Sequence, residues 1–333
     1  MSGFKNLITD VPGVLVGHAH DARLASGVTV ALLDGPAVVS GAVLGGAPGS
    51  RESALFEPET LVQGVDALVL SGGSAFGLDA ASGVQAWLRE RGRGFPVGPA
   101  RVPLVAQAIV FDLLNGGDKD WGRYPPYRDL GYAAAEAAGA DFALGTAGGG
   151  FGATTVNLKG GLGSASAVTP PGFQVGALVV VNAIAAATMG DGPHFWAAPY
   201  ERGDEFGGLG LPPRVTPAMQ RLVWKGLQQP GSTVAMVATD ARLDKAMAKR
   251  LALAAHGGLH KALRFAHALI DGDTVFAAAT GRAAESVGVR EIVELGAAAA
   301  DCLARAVARG VYEATALPCA PAHPAWRDRF GAS

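Results

Sequence analysis

The stretch Gly231-Ser232-Thr233-Val234-Ala235-Met236-Val237-Ala238-Thr239-Asp240 decides the fold. A glycine precedes a hydroxyl residue, and that residue opens an apolar run without polar alternation, the pattern of a strand buried on both faces. Gln228, Gln229 and Pro230 stop the preceding pattern, so Gly231–Ser232 falls where a loop enters a strand. A peptide can be held there in a strained turn, and a new chain end would stay fixed after a cut. Two readings of Ser232 follow. Either the chain cleaves itself between Gly231 and Ser232 and leaves an N-terminal nucleophile whose own α-amine is its base, or Ser232 is an ordinary serine at a strand start.

Outward from this strand, the run Val175-Gly176-Ala177-Leu178-Val179-Val180-Val181 is also apolar on both faces and ends on a polar amide, Asn182. Ile270-Asp271-Gly272-Asp273 leads into a third such strand, 274–280, and an alanine-rich helix follows over about 290–309. Strands of this kind need cover on both sides. Two facing sheets with helices outside, a four-layer αββα sandwich of mixed α/β (α+β) class, provide it; a doubly wound single sheet is the alternative. Asp34-Gly35 between two apolar runs predicts a hairpin, and residues 216–227 read as a helix. Residues 241–267 read as helices broken at His256-Gly257-Gly258.

Composition narrows the function. Of 333 residues, 49% are hydrophobic and 17% charged, which calls for a large core. Lys and Arg number 27 against 29 acidic residues, with no basic run, so nucleic acid and anionic membrane are poor partners. Cys302 and Cys319 lack metal-ligand spacing, and no cofactor or metal is implied. His18 and His20 share a strand face without further ligands and read as structural. Gly145–Gly152 imitates a dinucleotide fingerprint, but a strand-like run follows it where a helix is required. Around Ser74, Gly72 is in place for a nucleophile elbow while Phe76 occupies the second glycine position, so close helix–strand packing is the better account. The start of the chain has no signal-peptide pattern and no long apolar span is present, which together predict a soluble cytoplasmic protein.

A serine hydroxyl needs a base. A free α-amine titrates at about 7.7–8.0, so an N-terminal serine carries a usable base without a histidine. That amine needs orienting. Asp271 and Asp273, at i and i+2 before a strand, can point along one face toward the first residue of a neighbouring strand. An ordinary Asp-Gly-Asp turn is the alternative. Asn182 either braces a loop or offers its NH₂ to an oxyanion.

Leu68–Leu78 with its Ser-Gly-Gly-Ser-Ala-Phe-Gly core, Lys159-Gly160-Gly161-Leu162-Gly163, Val180-Val181-Asn182, Gly231-Ser232-Thr233-Val234 and Ala238-Thr239-Asp240 resemble the L-aminopeptidase/D-amidase-esterase (DmpA-type) family. That family includes β-peptidyl aminopeptidases and nylon-oligomer hydrolases, and the likeness runs from Ile8 to about Glu313 in the family's order. It implies one αββα domain of the ornithine-acetyltransferase type over 1–333, autocleaved into an α chain 1–231 and a β chain 232–333. It also implies a homo-oligomer, a tetramer of αβ units. By resemblance Ser232 is the nucleophile, Asn182 the oxyanion amide, Lys159 a site lysine of the nylon-oligomer branch, and Asp271 and Asp273 that branch's acidic pair. Gly231 follows the aminopeptidase branch instead. Phe111 falls near a tyrosine that some members aim at the oxyanion, so that donor is absent or comes from Tyr124 or Tyr127. The function implied is a self-processing serine amide hydrolase acting as an aminopeptidase or amidase on small peptides or amides. The alternatives are a 6-aminohexanoate-type (nylon-oligomer) hydrolase, a transferase on the same sandwich, and an unprocessed relative with an inert Ser232.

Overall fold

The computed structural model describes residues 4–319 and 323–331. The strands are β1 (Val14–Asp21), β2 (Ser26–Val43), β3 (Ser50–Arg51), β4 (Gly64–Ser71), β5 (Phe95–Val97), β6 (Ala100–Val102), β7 (Val105–Ile109), β8 (Gly161–Val168), β9 (Gln174–Asn182), β10 (Ser232–Thr239) and β11 (Thr274–Ala279). The helices are α1 (Ser74–Gly77), α2 (Ala80–Glu90), α3 (Tyr127–Glu136), α4 (Lys245–Ala262), α5 (Val289–Tyr312) and α6 (Trp326–Phe330).

Side chains alternate across a strand, and here both faces land in apolar cores. Val234, Met236 and Ala238 of β10 join Leu178 and Val180 of β9 and Leu68 and Leu70 of β4 in a central core. The residues between them, Ala235 and Val237 with Val179 and Val181, face a second core built with α4 and α5. Ala67 and Val69 of β4 turn the other way, toward α2 and α3. Two sheets therefore face each other with a helix pair outside each, the four-layer αββα arrangement.

One strand belongs to both sheets. The first half of β2 pairs with β1 and β4, and its second half pairs with β11, so the hydrogen-bonded order β3-β7-β4-β2-β11-β10-β9-β8 is unbroken. The hairpin predicted at Asp34-Gly35 does not form. β2 runs through it for 18 residues, with only a register shift between Leu32 and Ala37. Strand partners on both sides of the turn signal, up to Leu33 and again from Ala37, outweigh it.

Two helix expectations also change. α4 runs unbroken through Gly257-Gly258. Asp244 caps it by accepting the Met247 N–H at 2.8 Å. Residues 216–227 form turns and irregular chain rather than a helix. Gly226 adopts φ +85° there, and the Lys225 N–H is drawn onto the Ile184 carbonyl at 3.0 Å, beyond the end of β9.

Candidate active site

Two neighbouring strands fix what surrounds the start of β10. Ser232 pairs antiparallel with Asn182, the last residue of β9. Gly231 bridges Asp271 in the parallel sense, and the same register continues as Val234 opposite Thr274. Parallel strands stay in step, so Asp271 flanks Gly231 and Asp273 flanks Thr233. The acidic pair thus brackets the start of β10.

In the intact chain the Ser232 hydroxyl donates to the Gly231 carbonyl at 2.5 Å. The same carbonyl accepts the Gly272 N–H at 3.2 Å. Close approach explains both glycines. A Cβ on Gly231 would lie 2.4 Å from Ile184 Cγ2 and 2.5 Å from Ile184 N, and one on Gly272 would lie 2.5 Å from Ser232 Oγ. Gly231 does not occupy the left-handed region, so the strain expected of its backbone is replaced by tight packing.

The two carboxylates, each 0% exposed, differ in their partners. Asp273 Oδ1 accepts the Thr233 N–H at 2.8 Å. Its Oδ2 accepts both the backbone N–H (2.8 Å) and the ring Nδ1 (3.0 Å) of His267. Neither side-chain oxygen of Asp271 makes a hydrogen bond of good geometry among the described residues, although the Asp273 carboxyl and the Gly272 N–H lie close enough to act on it. Burial first, and then the charge of Asp273, push the Asp271 carboxyl well above the usual carboxylate range, opposed by the nearby Lys225 ammonium.

Asn182 is 1% exposed, and its amide is held at both ends. Oδ1 accepts the Thr154 N–H at 3.0 Å and the Lys225 ammonium at 3.3 Å, and Nδ2 donates to the Phe111 carbonyl at 2.9 Å. These contacts fix the orientation of the amide. An amide NH₂ has two hydrogens, so one remains beyond the bond to Phe111. Lys159 is caged: Nζ donates to the carbonyls of Gly150, Ala153 and Gly160 at 2.8–3.0 Å, and burial pushes it down to about 7. The cation whose charge reaches Asp271 is Lys225, a residue sequence reading missed. Its Nζ donates to the Thr154 carbonyl at 2.8 Å, and burial lowers it to about 7. No motif marks it, because an irregular segment carries it in. His267 was missed for the same reason.

Tyr127 is buried and donates to Ser26 Oγ at 3.0 Å, while Tyr124 is exposed. A cavity of about 40 Å³ lies beside Asn182, walled by Asp112, Thr154, Lys225, Gln229, Pro230 and His323 among others. It has room for a water or two but not for a peptide. His18 and His20 are packing residues: His18 bonds Thr29 Oγ1 and the Ala143 carbonyl, and His20 stacks on Phe151 at 4.4 Å. Among the described residues no group of three or more His, Cys, Asp or Glu is placed to hold a metal, and no helix is long and apolar enough to cross a membrane.

Two facing sheets between helix pairs, with a serine opening a central strand, form the four-layer sandwich of the Ntn-hydrolase fold. The model of Peptidase family S58 matches residues 6–324, and the chain belongs to that family. An uncharacterised aminopeptidase of Mycobacterium tuberculosis is 43% identical, over 98% of either chain. A 6-aminohexanoate-oligomer endohydrolase of Kocuria sp. is 28% identical, covering 84% of this chain and 76% of its own. Among solved structures, a Burkholderia sp. β-aminopeptidase matches 99% of this chain and 92% of its own with a TM-score of 0.72 at 24% identity. The L-aminopeptidase D-Ala-esterase/amidase of Ochrobactrum anthropi matches 98% and 92%, also at 0.72, with 20% identity. These two structural likenesses establish the fold.

Proposed function

We propose that the chain cleaves its own Gly231–Ser232 peptide and then acts as an aminopeptidase or amidase through a Ser232 acyl-enzyme. One observation carries the reading: the Ser232 hydroxyl lies on the Gly231 carbonyl, beside a buried carboxylate, Asp271, that makes no hydrogen bond of good geometry among the described residues. In the first step Oγ bonds the Gly231 carbonyl carbon and the C–N bond breaks. The hydroxyl proton ends on the released α-amine. Oxygen charge developing on Gly231 meets the Gly272 N–H already bonded there. Water then hydrolyses the ester, giving a Gly231 carboxylate and restoring the Ser232 hydroxyl. The new α-ammonium supplies Asp271 with a partner, and its free-base form serves as the proton acceptor for the next acylation. Gln229 and Pro230 wall the small cavity in the intact chain, so release of that chain end is what makes room for substrate. In this reading the spare Asn182 hydrogen faces the substrate oxyanion.

The aminopeptidase reading is supported by Gly231-Ser232 and by the name of the 43% identical relative. A second reading, hydrolysis of linear ω-amino amides, is favoured by Asp271 with Asp273 and by the Kocuria relative. Mass spectrometry of purified protein should find fragments 1–231 and 232–333, the second beginning Ser-Thr-Val. Ser232→Ala should stay intact and inactive on aminoacyl amides, β-peptides and 6-aminohexanoate oligomers, and the wild-type preference among these separates the two readings. An intact wild-type chain that still hydrolyses amides would overturn self-processing.

A further inference from the structure

His267 stands outside every motif, yet its contacts lead to the start of β10. It is one of the few non-glycine residues in the left-handed region, at φ +65°. Such a conformation is costly for a side chain with a Cβ and persists where its surroundings hold it. Here it directs two donors of one residue, the backbone N–H and ring Nδ1, onto a single carboxylate oxygen, Asp273 Oδ2. The other oxygen is thereby left aimed at the Thr233 N–H, one residue past Ser232. All three donors require an acceptor at Asp273, which fixes its rotation about the side-chain axis.

The ring is itself packed in. His256 and His260 of α4 meet it edge to face, with centroids 4.8 and 4.6 Å away, and its side chain is only 13% exposed. His256 in turn bonds the Ala42 carbonyl of β2 through Nε2 at 3.0 Å. A continuous set of contacts therefore runs from β2 through α4 and His267 to Asp273 and β10. Among the described residues His267 Nε2 has no partner, so the ring's hydrogen bonding is committed to Asp273.

We propose that His267 is a positioning residue for the Ser232 reaction: by clamping Asp273 it fixes the carboxylate that accepts the Thr233 N–H and so holds the first residues of β10 in attacking geometry. This rests on the self-processing reading above. With Asp273 clamped, Asp271 is the member of the pair left to meet the new α-amine. A misplacement of about 1 Å at a reacting group costs on the order of 100-fold in rate, which sets the scale of the effect.

The test uses three variants of the full chain. His267→Gly keeps the backbone donor and relaxes the left-handed turn but removes the ring. His267→Asn tolerates that turn and puts an N–H donor at the position of Nδ1. Asp273→Asn replaces one of the two acceptor oxygens with an NH₂ donor, so the carboxyl position can no longer accept from Thr233 and His267 together. Maturation is followed on denaturing gels, and kcat and KM are measured on the cleaved fraction with an aminoacyl amide. We expect His267→Gly to slow maturation and lower kcat by about 10- to 100-fold with KM within about twofold, and His267→Asn to recover most of the loss. His267→Gly added to Asp273→Asn should cost little more than Asp273→Asn alone. Wild-type maturation and kcat in His267→Gly, no rescue by Asn, additive losses, or a fall in thermal midpoint matching the fall in activity would each overturn the proposal. A wild-type chain that neither cleaves nor hydrolyses amides would instead overturn the self-processing reading, and this proposal with it.

Discussion

Asp271 leaves both of its carboxyl oxygens without a hydrogen bond of good geometry among the described residues. Its carboxyl is buried, and its proton is held well above the usual carboxylate range. The unfolded chain releases that proton near pH 3.9. Between there and the raised folded value the folded state binds more protons than the unfolded one, so this group lowers stability progressively as pH rises. In a Ser232→Ala background, used so that the proposed self-cleavage does not enter the comparison, Asp271→Asn should therefore raise the thermal midpoint at pH 7 by on the order of a few °C. That advantage should shrink toward pH 4. A buried, unpartnered amide also has a cost, but that cost does not change with pH, so the trend of the difference is what counts. Equal midpoint differences at pH 4 and pH 7 would refute the assignment. The Asp271–Asp273 pair was legible in part: i, i+2 spacing puts both side chains on one face, and the parallel pairing with β10 that sets them beside Gly231 and Thr233 comes from the fold. Lys225 and His267 were not legible. Both reach the site from irregular segments whose course is set by packing, and no local pattern encodes that course.

Among the elements, α4 shows where sequence reading goes astray and why. Gly257-Gly258 looks like a break, yet the helix passes through it. A Cβ on Gly258 would lie 2.4 Å from the Ala300 carbonyl and 2.9 Å from Leu303 Cβ, so this glycine lets α4 press against α5. Gly257 has no such need, since its Cβ would meet only Ala300 Cβ at 3.9 Å. Replacing glycine by alanine inside a helix gains roughly 0.5–1 kcal/mol, while forcing a methyl into a filled contact costs roughly 1–3 kcal/mol. Gly257→Ala should thus raise the thermal midpoint and Gly258→Ala should lower it. Midpoints moving in the same direction would reject this account of the pair. The hairpin misread at Asp34-Gly35 has the same cause: the strand runs through because β1 and β4 hold it before that dipeptide and β4 and β11 hold it after. Patterns carried by one strand, such as β9 and β10, were readable; choices made by distant partners were not.

At the scale of the whole molecule, the cut proposed at Gly231–Ser232 falls at a point that divides the chain without dividing the fold. The second fragment would contribute β10 and β11, which occupy adjacent places in the order β2-β11-β10-β9. Both flanking strands belong to the first fragment. The α4–α5 pair of the second fragment also covers β8 and β9 of the first, through one apolar core. Pulling the fragments apart would open both edges of the inserted strands and expose buried side chains worth roughly 1.5–3 kcal/mol each. Cleaved protein should therefore elute as one species in native gel filtration, with both fragments in a constant ratio, and separate only in denaturant. Refolding distinguishes this from mere adhesion. In Ser232→Ala the strands share one chain and find each other at a fixed effective concentration, whereas after cleavage their meeting is bimolecular. Recovery of native protein after dilution from denaturant should fall more steeply with dilution for the cleaved form than for Ser232→Ala. Fragments that part in native buffer, or equal dilution dependence in the two forms, would mean that β10 and β11 are not held between β2 and β9 in the mature protein.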